Sequence, residues 1–118
     1  MKHQIGRRKL NLKTPHRNAL LRNQAIHLIN YGVLQSTKAR VKEVQKFTEK
    51  LVTIARKGKS FNTIRRIKQQ LPYDYKAVKK LIEEIAPKYE GRPGGYTRTI
   101  PMGMRQSDTA TILRLTWV

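Results

Sequence analysis

No acidic residue occurs before Glu43. The stretch ahead of it holds Lys2, Arg7, Arg8, Lys9, Lys13, Arg17, Arg22, Lys38, Arg40 and Lys42, ten cations with no carboxylate to offset them. The whole chain carries the same bias, with 26 Lys+Arg against 7 Asp+Glu and a formal net charge of +19. Repulsion on this scale opposes compaction, and a dense polyanion relieves it. Nucleic acid fits best, because neutralising its phosphates also releases condensed counterions.

A folded domain is still expected. Leu, Ile, Val and Phe make up 29 of the 118 residues. That is above the level of roughly 20% below which a highly charged chain stays disordered. The length suits a single domain over 1–118, with a basic extended arm over 1–13 and a globular part over 14–118. Cysteine is absent, which removes disulfides, thiolate-bound zinc and a thiol nucleophile. No apolar run reaches the roughly 20 residues that span a bilayer. The basic amino end lacks the apolar stretch of a secretory signal and the serines of an organellar one, so a cytoplasmic protein is expected.

Caps and periods divide the rest. Thr14 and Pro15 read as N-cap and first helical residue, with Leu21, Ala25, Leu28 and Ile29 on one face and Gly32 as terminator. Val33–Ser36 reads as a short extended run. Thr37 caps a second helix carrying Val41, Val44, Phe47, Thr48, Leu51, Ile54 and Ala55, stopped by Gly58. Ser60 caps a third with Ile64, Ile67 and Leu71, ended by Pro72. Asp74 caps a fourth with Val78, Leu81, Ile82 and Ile85 inward and Pro87 just beyond its end.

After Gly91 the pattern alternates. Leu113, Leu115 and Trp117 share one face of a strand, Arg114 and Thr116 the other, and Tyr96–Met102 is the partner through a loop near Gly103–Asp108. The fold class is α+β, a two-layer arrangement in the order α-β-α-α-α-β-β with helices on one face of a small sheet.

Catalytic constellations are weak. Glu83 and Glu84 are adjacent on a helix and point about 100° apart. Glu43 and Glu49 stand among lysines and read as solvated or ion-paired surface groups. A ribonuclease using His16 or His27 with Glu43 lacks any spacing that would organise acid-base chemistry. His3, His16 and His27 also miss the i, i+4 spacing of metal ligands on one helix face.

The basic residues carry more. Gly94-Gly95 reads either as a tight turn or as backbone that approaches a phosphate between Arg92 and Arg98. Tyr96 beside Arg98 offers a stacking face next to a phosphate fork, which suits unpaired RNA bases. Tyr31, Tyr73, Tyr75 and Tyr89 lack that setting and read as packing residues. The third and fourth helices superficially fit a helix-turn-helix, so a DNA-binding architectural or regulatory protein is the alternative. Cations spread over the arm, all four helices and the strands favour RNA contacted on several sides.

Met1-Lys2-His3, Lys9-Leu10 and His16-Arg17-Asn18-Ala19-Leu20-Leu21-Arg22-Asn23 resemble the amino-terminal signature of the bacterial large-subunit ribosomal protein L17 family. The resemblance continues through Ser36-Thr37, residues 39–43, Lys50–Ala55, Arg92-Pro93-Gly94-Gly95-Tyr96-Thr97-Arg98, Arg105, Asp108 and Ala110. Ser36, Ser107 and Thr116 depart from the usual family residues, which are threonine, glycine and an acid. The resemblance implies a non-catalytic component of the large ribosomal subunit without cofactor, metal, membrane or small-molecule substrate. Its implied partners are large-subunit ribosomal RNA and the small ribosomal protein L32, with no self-association. The expected RNA-binding set is Lys2, His3, Arg7, Arg8, Lys9, Lys13, His16, Arg17, Arg22, Asn23, Arg92, Gly94, Gly95, Tyr96, Arg98 and Arg105.

Overall fold

Local chain chemistry explains most element boundaries. The structure is a computed structural model that describes Leu10 and residues 12–118. The first helix, α1, runs Thr14–Tyr31 and ends where Gly32 takes φ 79°, its N–H bonded to the Leu28 carbonyl at 2.8 Å. That left-handed cap suits glycine, which has no Cβ to clash. The chain turns directly into β1, Val33–Thr37, and then into α2, Lys38–Ala55. Ser60 caps α3, Phe61–Gln70, through a 3.2 Å bond from the Thr63 N–H. Asp74 caps α4, Tyr75–Lys80, accepting from the N–H groups of Lys76 and Ala77. The chain continues through a π-helical turn, Leu81–Ile85, and a 3-10 turn, Ala86–Tyr89. Strands β2, Thr97–Met104, and β3, Thr111–Trp117, complete the order.

The strands form one antiparallel sheet in the order β1-β3-β2. Leu34 faces Leu115, Ser36 faces Leu113, and Thr97 faces Trp117 across the ladders. One sheet face meets the helices, where Leu34, Leu113 and Leu115 pack with Leu28, Val41 and Val44. A second cluster is mainly helical and joins Ile29, Leu51, Val52, Ile67, Leu71, Val78 and Leu81. The 18 residues of α2 serve both clusters, the amino half on the sheet and the carboxyl half among the helices. Trp117 packs against both, and its indole N–H donates to the Leu28 carbonyl at 3.3 Å. The α+β class and the element order therefore match the expectation.

Several details differ. The N-cap of α1 is Lys13, without a side-chain cap; Thr14 is already helical, with Nη2 of Arg17 3.5 Å from its hydroxyl. Thr37 occupies the N-cap of α2 but its side chain makes no capping bond. Helix α2 ends at Ala55, before Gly58, whose φ of 97° belongs to the following turn. Pro87 lies inside the 3-10 turn, not beyond the helix, at its first positions, where a missing N–H is tolerated. The hairpin strand extends two residues further than expected, to Met104, because a bulge after Pro101 lets pairing resume at Met104–Thr111. Glu43 is buried, not solvated, with Lys46 Nζ 3.7 Å from its carboxylate. Glu49 also faces inward: it accepts from the Thr97 N–H at 3.1 Å and the Thr97 hydroxyl at 2.8 Å, tying β2 to α2.

Candidate nucleic-acid interface

The expected binding set divides into groups with different fates. Lys2, His3, Arg7, Arg8 and Lys9 lie outside the described residues. Lys13 at the N-cap of α1 and His16 and Asn23 within it are exposed, and the first turn of the helix holds no acidic residue. Arg22 is half-buried. Arg17 is a correction: it is 6% exposed and presents no open guanidinium fork.

Tyr96 is the clearer correction. Its ring is 1% exposed, so it gives a base nothing to stack on. It packs against Tyr89 with ring centroids 5.4 Å apart, and Tyr89 in turn lies 6.2 Å from Trp117. The Tyr96 hydroxyl accepts from Nη1 of Arg56 at 2.6 Å and donates to the Arg92 carbonyl at 3.2 Å. Arg56 also lies 5.9 Å from the Tyr96 ring centre and donates to the Glu90 carbonyl. The neighbouring Tyr89 hydroxyl donates to the Val118 carbonyl, and burial raises its pKa above the usual value. Arg92 reaches back to the Gly95 carbonyl at 3.1 Å, and Gly95 turns at φ 67°. The Arg-Pro-Gly-Gly-Tyr segment is thus a lock on the start of β2.

The sheet-side residues do not gather in one place. Arg92, Gly94 and Gly95 stand before β2 and Arg105 stands after it, separated by a strand roughly 26 Å long. Arg105 is held in a two-pronged pair with Asp108, Nε to Oδ1 at 3.0 Å and Nη2 to Oδ2 at 2.6 Å. That pairing raises the Arg105 pKa and, with the Ala110 N–H, holds the Asp108 carboxyl down at about 2. Arg105 shares a shallow groove with Thr37, Arg40, Met102 and Ile112. Arg40 was legible only as part of the acid-free run.

The sheet face that no described helix covers carries Arg98 of the expected set and adds Arg114, which that set lacked. Register places Thr116 between Arg98 and Val33, and Arg114 between Gln35 and Ile100, all pointing away from the core. The Arg98 side chain is exposed and makes no hydrogen bond or ion pair among the described residues. The Arg114 side chain has only a long contact, Nη2 to the Gln35 side-chain oxygen Oε1 at 3.4 Å, and its Nε lacks a partner. Alternation in β3 turns Arg114 outward; that it shares this face with Arg98, diagonally across β3 and β2, needed the register.

The carboxylates are mostly engaged within the protein. Asp74 caps α4 and accepts from Asn30, which lowers its pKa. Glu83 pairs with Lys59 at 2.7 Å, Asp108 with Arg105, Glu43 with Lys46, and Glu49 holds Thr97. The positive excess is left facing outward. Among the described residues no group of three His, Cys, Asp or Glu is placed to hold a metal. No described helix is long and apolar enough to cross a membrane.

Comparison with known proteins gives this surface its context. The family model described as ribosomal protein L17 matches residues 20–118. The large ribosomal subunit protein bL17 of Aliarcobacter butzleri is 42% identical over 118 residues, covering all of both chains. The bL17 of Wolinella succinogenes is 44% identical over 112 residues, covering 95% of each. The bL17 of Zymomonas mobilis is 43% identical over 110 residues, 93% of this chain and 77% of that protein. With the family model spanning most of its length and relatives matching end to end, the chain belongs to the ribosomal protein L17 family, whose members are structural, non-enzymatic components of the ribosome.

Proposed function

We propose that this chain acts as one RNA-binding domain that holds large-subunit ribosomal RNA mainly through its phosphates. The observation that carries the reading is the disposition of charge. Five of the seven carboxylates are committed to internal partners, so the net charge of +19 has no internal outlet. Lys13, His16, Arg22 and Asn23 contact RNA along α1, where the positive end of the helix dipole favours phosphate. Arg98 and Arg114 contact it from the uncovered sheet face. Lys2, His3, Arg7, Arg8 and Lys9 extend the contact from the arm. Arg92, Gly94, Gly95 and Tyr96 act indirectly, by fixing the strand that carries Arg98. Arg105 contributes from the hairpin, with Asp108 setting its orientation. The protein works in the bacterial cytoplasm, with L32 among its neighbours in the large subunit.

Sucrose-gradient sedimentation of a lysate at moderate salt tests the reading. The protein is expected with large subunits; recovery as free protein overturns it. Filter binding supplies the physical check. If about ten phosphates are neutralised, log affinity falls against log salt with a slope of roughly −7 to −9. A flat response, or preference for duplex DNA over structured RNA in competition, returns the argument to the DNA-binding alternative.

A further inference from the structure

Helix α3 presents a surface that its packing does not explain. Phe61, Arg65 and Lys68 recur at i, i+4 and i+7, which places them along one side of the helix. Ile67 and Leu71 point the other way, into the core. Phe61 is 78% exposed, with the Arg65 guanidinium 5.9 Å from its ring centre. Across the turn, the first residue of α4 is Tyr75, 59% exposed, and Lys68 Nζ lies 4.5 Å from its ring centre. The order along this stripe is aromatic, cation, cation, aromatic.

The surroundings favour an anionic, flat partner. Of the nearby carboxylates, Asp74 is occupied by the α4 cap and Asn30, and Glu83 by Lys59. Arg66 adds positive charge without an ion-pair partner among the described residues, and Lys76 and Lys79 add more, close enough to Asp74 and Glu83 to help lower their pKa values but not in ion-pair contact. A protein partner of ordinary composition would gain little from so large an excess of cations. A nucleic acid strand matches both chemistries at once, with bases for the rings and phosphates for the cations. Duplexes hide their base faces in the stack, so the fit is to unpaired nucleotides.

We infer that the α3–α4 surface is a second RNA-binding site, on which unpaired bases stack against Phe61 and Tyr75 while Arg65 and Lys68 hold the adjoining phosphates. The inference rests on the ribosomal RNA reading above and specifies a mode of contact that phosphate binding by α1 and the sheet does not provide.

The test uses the full chain and two probes, an oligoadenylate of about twelve nucleotides and an RNA duplex of the same length. The double variant Phe61→Leu/Tyr75→Leu keeps apolar bulk at exposed positions and removes both rings. It is expected to bind the single strand about 10-fold or more weaker. Duplex binding and the salt slope should be unchanged. Ultraviolet crosslinking of the wild-type complex should leave the single strand attached to peptides containing Phe61 or Tyr75. Equal single-strand affinity in variant and wild type, or equal loss for both probes, overturns the inference. If the variant then still sediments with large subunits, the ribosomal RNA reading survives it. Failure of the wild type to bind either probe removes both.

Discussion

Two sets of aromatic residues with cationic neighbours have opposite fates in this protein. Tyr96 lies in the core with Arg56 against its ring and hydroxyl. Phe61 and Tyr75 stand in solvent with Arg65 and Lys68 over theirs. The difference lies in what surrounds the cation. Arg56 spends its two terminal nitrogens on the Tyr96 hydroxyl and the Glu90 carbonyl, so it staples chain segments together. Arg65 and Lys68 have no such acceptors among the described residues and keep their charge available. Adjacency of ring and cation is therefore ambiguous until the remaining hydrogen-bond donors are followed to their ends.

The largest effects should come from the buried set. Tyr96→Ala should cost about 4 kcal/mol in urea unfolding, because it deletes a fully buried ring and strands Arg56. Phe61→Ala should change stability by less than about 0.5 kcal/mol, as expected for a side chain that is mostly in water. If the two costs were similar, the distinction between core and surface would collapse. Glu49→Ala should cost about 2 kcal/mol, since it leaves the Thr97 N–H and hydroxyl without their shared acceptor. Hydrogen-exchange measurements should show the loosening concentrated at the start of β2. Tyr96→Phe is the subtler probe. It keeps the ring and removes only the hydroxyl's bonds to Arg56 and the Arg92 carbonyl, so about 1 kcal/mol is expected.

The smallest effect concerns pH. The Asp108 pKa is depressed from 3.8 to about 2, first through its bond to Arg105 and then through the Ala110 N–H. The stabilisation is thus complete above pH 3.8 and is lost as pH falls through about 2. Carboxyl NMR titration should give a midpoint near 2 for Asp108. A midpoint near the ordinary aspartate value would mean that the hairpin pair is open in solution. Both groups are exposed, so global unfolding should barely register it.

What the sequence disclosed was local. The caps at Ser60 and Asp74 and the glycine stop at Gly32 depend on residues within one turn, and each appears where chain chemistry puts it. The order of elements followed from those stops and from the change of period after Gly91. Tyr96 was misread because its surroundings come from Arg56, forty positions earlier, and from Tyr89 and Trp117 on other elements. Glu49 was misread for the same reason, its partner Thr97 being 48 residues away. The π turn at Leu81–Ile85 was hidden because apolar residues spaced three and four apart look alike in a regular helix and in one with a wider turn. Phe61 was overlooked and Tyr75 read as a packing residue because exposure of an aromatic is decided by the opposite face of its helix, which only packing reveals.

The free side of β2 bears on the time between synthesis and assembly. In the order β1-β3-β2 this strand is an edge, and an edge with Ile100 and Met102 in it can recruit strands from other chains. Pro101 contributes no N–H to such pairing, and the bulge beyond it breaks the straight run of donors and acceptors. The opposite edge, β1, is only five residues long. A chain that must wait to join the large subunit therefore carries its own protection against edge-to-edge pairing with other chains.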